Sequence, residues 1–165
     1  MKHILSSLVL LYLFCSTTPI TAQTLTLDQL FWLRERSEGD NSEWLTIEHN
    51  WRFEKNTPTI DSLSYSTSWF FQNARKKRTA KLTYENRGSS NITTITYSTI
   101  NKQNFNAIKA RLAAYQMKYI SQENDKGMVQ SHYRDNDFDI ILKASASSEA
   151  VSATWYTIIV RPRWH

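Results

Sequence analysis

The sequence predicts an α+β fold built from two tandem helix-plus-four-stranded antiparallel units, with the helices packed on one face of the sheet. Three observations lead there. Phe105, Ile108, Leu112 and Tyr115 recur at helical spacing, which places all four on one face of a 3.6-residue helix. Four short runs follow at 119–123, 128–134, 138–144 and 153–160, each aromatic or β-branched and bounded by turn residues, as strands are. The residues before Asn101 then repeat the same order of elements, although the two halves share negligible identity. The reading divides the chain into residues 1–22, a first unit over 23–100 and a second over 101–165. The two units together make one compact domain, with either one eight-stranded sheet or two abutting four-stranded sheets.

The first 22 residues read as a secretory signal peptide. Lys2 and His3 precede an apolar run over 4–14, and Ala22 supplies the small residue before a cleavage point at Gln23. The run is too short to span a bilayer. Phe14 precedes Cys15 where a lipoprotein signal needs a small residue, so the expectation is a free, soluble exported protein. Removing this segment leaves 143 residues, enough to bury a core. It also removes the only cysteine, so neither a disulfide nor a thiolate site is expected within one mature chain. The mature part carries 19 basic and 15 acidic side chains, a formal charge of +4, which lacks the dense basic stripe of a nucleic-acid binder. All six tryptophans lie in it.

In the first unit, Thr26 or Asp28 can cap a short helix whose apolar positions are Leu27, Leu30, Phe31 and Leu33. Gly39-Asp40-Asn41 reads as its break, and Ser42 as the cap of a second short helix through Trp44, Leu45 and Ile47. That helix ends near Asn50, which tolerates the left-handed conformation. Residues 51–55 start the sheet, and Asn56-Thr57-Pro58 ends the strand because proline donates no ladder hydrogen bond. Leu63, Tyr65, Thr67, Trp69 and Phe71 alternate with Ser62, Ser64, Ser66, Ser68 and Phe70, the clearest period of two in the chain. Leu82 and Tyr84 alternate with Lys81, Thr83 and Glu85. Asn86-Arg87-Gly88 turns the chain into a fourth strand over 92–98.

The helix pair ending before Trp51-Arg52-Phe53, the later Met117-Lys118-Tyr119-Ile120, the Lys126-Gly127 turn and the strand holding Tyr133 together resemble a group of uncharacterised exported bacterial proteins. Asn50 stands where that group would place glycine. The layout of two helix-plus-four-strand units is also similar to the β-lactamase inhibitor protein, whose sheet forms a concave protein-binding face. The resemblance implies a protein partner and an inhibitor-like or neutralising role.

Motifs for chemistry are sparse. The mature histidines are His49, His132 and His165, and no Gly-x-Ser-x-Gly or His-Glu-x-x-His pattern accompanies them. Each reads as a surface residue. Asp135, Asp137 and Asp139 have the spacing that opens a calcium loop, but Ile140 and Ala146 stand at its glycine and glutamate positions, so a polar hairpin over 134–137 is expected instead. The cationic run over 75–78 fits a solvated hairpin loop, and Asn91-Ile92-Thr93 fits a glycosylation acceptor. No metal and no cofactor is expected.

The final strand is the informative one. Tyr156, Ile158 and Val160 alternate with Trp155, Thr157 and Ile159, so both faces carry apolar residues. In the preceding strand Phe138, Ile140 and Leu142 alternate with Asp139, Ile141 and Lys143. An open sheet face would expose Trp155 and Ile159 unless the strand is central and covered, or a partner sits there. Trp155, Thr157 and Ile159, with Ile141 and Lys143 beside them if the two strands pair, are therefore the candidate binding residues. The expected function is an exported, non-enzymatic binding module of the cell envelope, recognising a protein through the open sheet face, with a glycan as the other partner class. No nucleic acid and no membrane embedding is expected. The alternative is a small envelope enzyme with a site around His132.

Overall fold

A computed structural model describes residues 24–58, 64–88, 92–125, 127–145 and 154–163. Residues 1–22, expected to be a signal peptide, lie outside them, as do Ser62, Leu63, Asn91, Lys126, Ala146 and His165. The chain is α+β: α1 (Leu27–Glu35), α2 (Glu38–Glu43) and a π turn Trp44–Glu48 precede β1 (Arg52–Pro58), β2 (Ser64–Gln72), β3 (Arg78–Arg87) and β4 (Ile92–Thr99). The second half has α3 (Lys102–Arg111), a 3₁₀ turn Leu112–Tyr115, β5 (Lys118–Asp125), β6 (Met128–Arg134), β7 (Phe138–Ser145) and β8 (Tyr156–Pro162). All eight strands form one antiparallel sheet in the order β1-β2-β3-β4-β8-β7-β6-β5. The joint between the halves is the β4–β8 pair, so β8 is central.

Local chemistry accounts for the helix ends. The Thr26 hydroxyl accepts from the Gln29 amide while Gln29 Oε1 accepts from the Thr26 amide, a reciprocal capping box. Asn101 caps α3 by accepting from the Asn104 amide. Asn50, at φ 56°, takes the left-handed conformation its side chain tolerates, and the Trp51 amide closes onto the Leu45 carbonyl.

The break between the first helices lies elsewhere than at 39–41. Arg36 and Ser37 are extended, and Ser37 caps α2 by accepting from the Asp40 amide, so Gly39-Asp40-Asn41 is helical. Buried Asn41 donates from Nδ2 to the Leu33 carbonyl at 2.7 Å, satisfying one of α1's last free acceptors. Ser42 is correspondingly an interior helix residue. Asn86 is likewise no turn residue: it is buried in β3 opposite Tyr65 and Thr93, and Gly88 at φ 29° follows the strand. Pro58 is the last residue of β1, which tolerates it because β1 is an edge strand.

Both α1 and α3 pack against β4 and β8. Between helices and sheet lie Leu27, Leu30, Leu33, Leu45, Phe105, Ile108 and Leu112, against Trp69, Leu82, Ile95, Tyr97, Ile140, Leu142, Ile158 and Val160. Tyr97 ties the layers together: its hydroxyl donates to Asn104 Oδ1 at 2.9 Å, and Asn104 Nδ2 donates to the Leu25 carbonyl at 3.0 Å. Burial pushes the Tyr97 phenol up to about 12. No helix among the described residues is long and apolar enough to cross a membrane.

Candidate functional site

Alternation along each strand sends one set of side chains to the helices and the other to the opposite face. On that opposite face the pairing of β7 with β8 sets Ile141 across from Ile159 and Lys143 across from Thr157. The pairing of β4 with β8 sets Thr96 across from Ile159 and Ser98 across from Thr157. Four of the five candidate residues thus form a contiguous square, and Trp155 extends it by one step at the start of β8. Trp155 is 40% exposed, Ile159, Thr157 and Lys143 are half-buried, and Ile141 is only 7% exposed.

Residues from the first half complete the site. Trp155, Phe70, Arg78, Lys81 and Ser98 line a cleft of about 240 Å³. Phe70 is the one aromatic side chain on the otherwise serine-rich outer face of β2, and it stands opposite Lys81 in register. The Arg78 guanidinium lies 4.2 Å from the Phe70 ring centroid, a cation–π contact. Glu54, at the bulge of β1, anchors the cations: its carboxylate accepts from Arg78 at 2.6 Å, from Lys81 at 2.9 Å and from Ser68 at 3.1 Å. The hydrogen bond from Lys81 is the first reason that the Glu54 carboxyl drops to about 2; burial opposes the shift, and Arg78 and Ser68 reinforce it. Glu54 is therefore ionised at neutral pH and fixes an aromatic ledge flanked by cations.

A second ion cluster lies on the same face. Buried Asp139 accepts from Arg134 Nε at 2.6 Å and lies 3.7 Å from Arg161. Asp135 instead holds the hairpin, its carboxylate accepting from the Asp137 and Phe138 amides at 2.8 and 2.7 Å. The aspartates at 135 and 139 thus do separate jobs, one capping a turn and one pairing with arginines. The loop over 73–77 is a solvent-facing hairpin with Lys76 at φ 58°, while Arg78 of the same cationic run enters β3 and joins the site.

His132 faces Ile141 and Ser121 across the sheet, and its buried Nε2 makes no hydrogen bond. His49 ends the helical segment with its ring 3.8 Å from that of Trp44. What the site can do chemically is bind: an exposed indole, a phenyl ring stacked by a guanidinium and two lysines offer area and positive charge. The sequence reading missed Phe70, Arg78 and Lys81 as partners of Trp155. The one available signal was Phe70 itself, alone among the serines of its face.

No protein-family model, no curated protein and no solved structure matches the chain.

Proposed function

We propose that the chain is an exported, non-enzymatic binding module of the cell envelope that recognises a protein through the face of the sheet opposite the helices. The observation that carries this reading is the exposed Trp155 indole beside Phe70, Arg78 and Lys81, with Thr157 and then Ile159 continuing the same face along β8. Aromatic residues and arginine dominate protein-binding energetics, and large exposed aromatic surface otherwise costs solubility. The cations around it favour a partner with carboxylates near an apolar spot. An inhibitor-like or neutralising role is one form of such binding.

The two-unit reading supports the same proposal. The strand order is mirrored about β4–β8, as a duplicated four-stranded meander would have it; the square on β7 and β8 lies in the second half beside that joint, and the cleft lined by Trp155, Ser98, Lys81 and Phe70 crosses it. The leader over 1–22 supplies the route of export. Immobilised protein incubated with envelope extract tests the reading: an acidic-surfaced protein should be retained, released by raised salt, and lost when Lys81 and Arg78 are both replaced by glutamine. Retention unaffected by either change would count against it.

A further inference from the structure

The helix-facing side of the sheet is apolar at its centre and polar at one end. The central row across β2, β3 and β4 is Trp69, Leu82 and Tyr97, all buried. Toward the end nearest the C-terminus of α1, the row becomes Tyr65, Asn86 and Thr93, in register on the same three strands. Asn86 and Thr93 are buried, and Tyr65 stacks on Tyr84 with ring centroids 6.1 Å apart. Polar groups in a core row cost desolvation unless hydrogen bonds offset it. Here they border a cleft of about 460 Å³, walled on the helix side by Arg34 and Glu35.

Within the cleft the protein uses part of this polarity. The Tyr84 hydroxyl donates to the Arg36 carbonyl and accepts from Thr93, both at 3.4 Å. Arg34 is different. Its guanidinium is held over the Phe138 ring, 4.6 Å from the centroid, and its buried Nε makes no hydrogen bond. Desolvation pushes the Arg34 pKa down, and the opposing influences come from Glu35, Asp137 and Tyr84. Glu35 lines the same cleft beside Arg34. A further anion would meet its repulsion, whereas a neutral oxygen acceptor would not. Tyr65 adds a neutral donor and acceptor: burial first, then Tyr84 and Glu38, push its phenol up to about 12.

We propose that this cleft binds a neutral polyhydroxylated ligand, a saccharide unit of one or two rings, with Arg34 and Tyr65 donating to its oxygens and Glu35 accepting from its hydroxyls. The volume suits such a ligand, since small-molecule sites begin at roughly 300 Å³. The mixture of one cation, one carboxylate, an amide and hydroxyls matches groups that both donate and accept. The cleft is on the opposite side of the sheet from Trp155, so this proposal stands or falls independently of the protein-binding one.

Calorimetry and saturation-transfer NMR on the purified protein decide it, with cellobiose, maltose and N,N′-diacetylchitobiose as neutral probes and glucuronate as the anionic one. At least one neutral probe should bind saturably at about millimolar strength. Tyr65→Phe and Arg34→Lys should each weaken that binding about tenfold, as loss of a specific hydrogen bond to ligand does, while Trp155→Ala leaves it unchanged. The melting temperature of Tyr65→Phe, measured alongside, separates lost binding from lost folding. Absence of saturable binding by all three neutral probes, tighter binding of glucuronate than of any of them, or unchanged binding in Tyr65→Phe would each overturn the proposal.

Discussion

The Glu54 carboxylate on edge strand β1 reaches across β2 to within 2.9 Å of Lys81 Nζ on β3, and on the way accepts from Ser68. One acidic side chain thus ties three strands together and sets the charge beside Trp155. A neutral Glu54 would leave Lys81 and Arg78 free to swing.

That relationship predicts an acid-sensitive edge. The folded-state pKa of Glu54 is lowered to about 2, below its unfolded value, so its contribution to stability is present above about pH 4.5 and is lost as pH falls toward about 2. Glu54→Gln should flatten the pH dependence of urea unfolding in that window. At neutral pH its cost should be modest, about 1 kcal/mol, because Arg78 and Lys81 are both well exposed. Identical acid limbs for the two proteins would contradict the assignment.

Truncation in the core should be severe. Trp69 is 0% exposed and its indole N–H donates to Ser42 Oγ at 3.4 Å. Trp69→Ala should lower stability by about 3–5 kcal/mol, as removal of a large buried aromatic does. Ser66→Ala, on the other face of the same strand, should be nearly silent. Equal small effects in a urea titration would mean that the register of β2 is wrong.

The bracket between α1 and α2 gives a third test. Asn41→Ala removes the hydrogen bond to the Leu33 carbonyl and leaves a buried acceptor unsatisfied, at a cost of about 1–3 kcal/mol. A thermal melt coincident with that of the parent protein would show that Asn41 does not join the helices.

The alternation through β2, β3, β7 and β8 was readable because a half-buried strand has a period of two, and among the described residues the inward ones named from it lie toward the helices. The Ile141–Ile159 and Lys143–Thr157 pairs followed once β7 paired with β8. The α1–α2 break was misplaced because Gly39 and Asn41 look like breakers locally, while Asn41 earns its helical position through a tertiary hydrogen bond. Asn86 was misread for a similar reason: it is a turn former by composition and a buried strand residue by register. Beyond the lone Phe70 among serines, the Phe70–Arg78–Lys81–Trp155 cluster had no local signal, since it requires β8 to insert beside β4 rather than at an edge.

Export carries its own prediction. The apolar run over 4–14, Ala22 and the absence of a small residue before Cys15 imply a mature chain starting at Gln23 with no lipid. Intact mass spectrometry of the exported form should return that mass. A species beginning with acylated Cys15 would contradict it.

On the proposed function, Trp155 anchors a partner rather than the fold. The direct measurement pairs capture with unfolding for a single substitution, Trp155→Ala. Aromatic anchors contribute about 2 kcal/mol or more to an interface, so partner capture should weaken at least about thirtyfold. The thermal midpoint should stay close to that of the parent protein, because 40% of Trp155 already lies in solvent. A sharp fall in melting temperature, with capture unchanged among the molecules still folded, would place Trp155 in the core and contradict its role as a binding anchor.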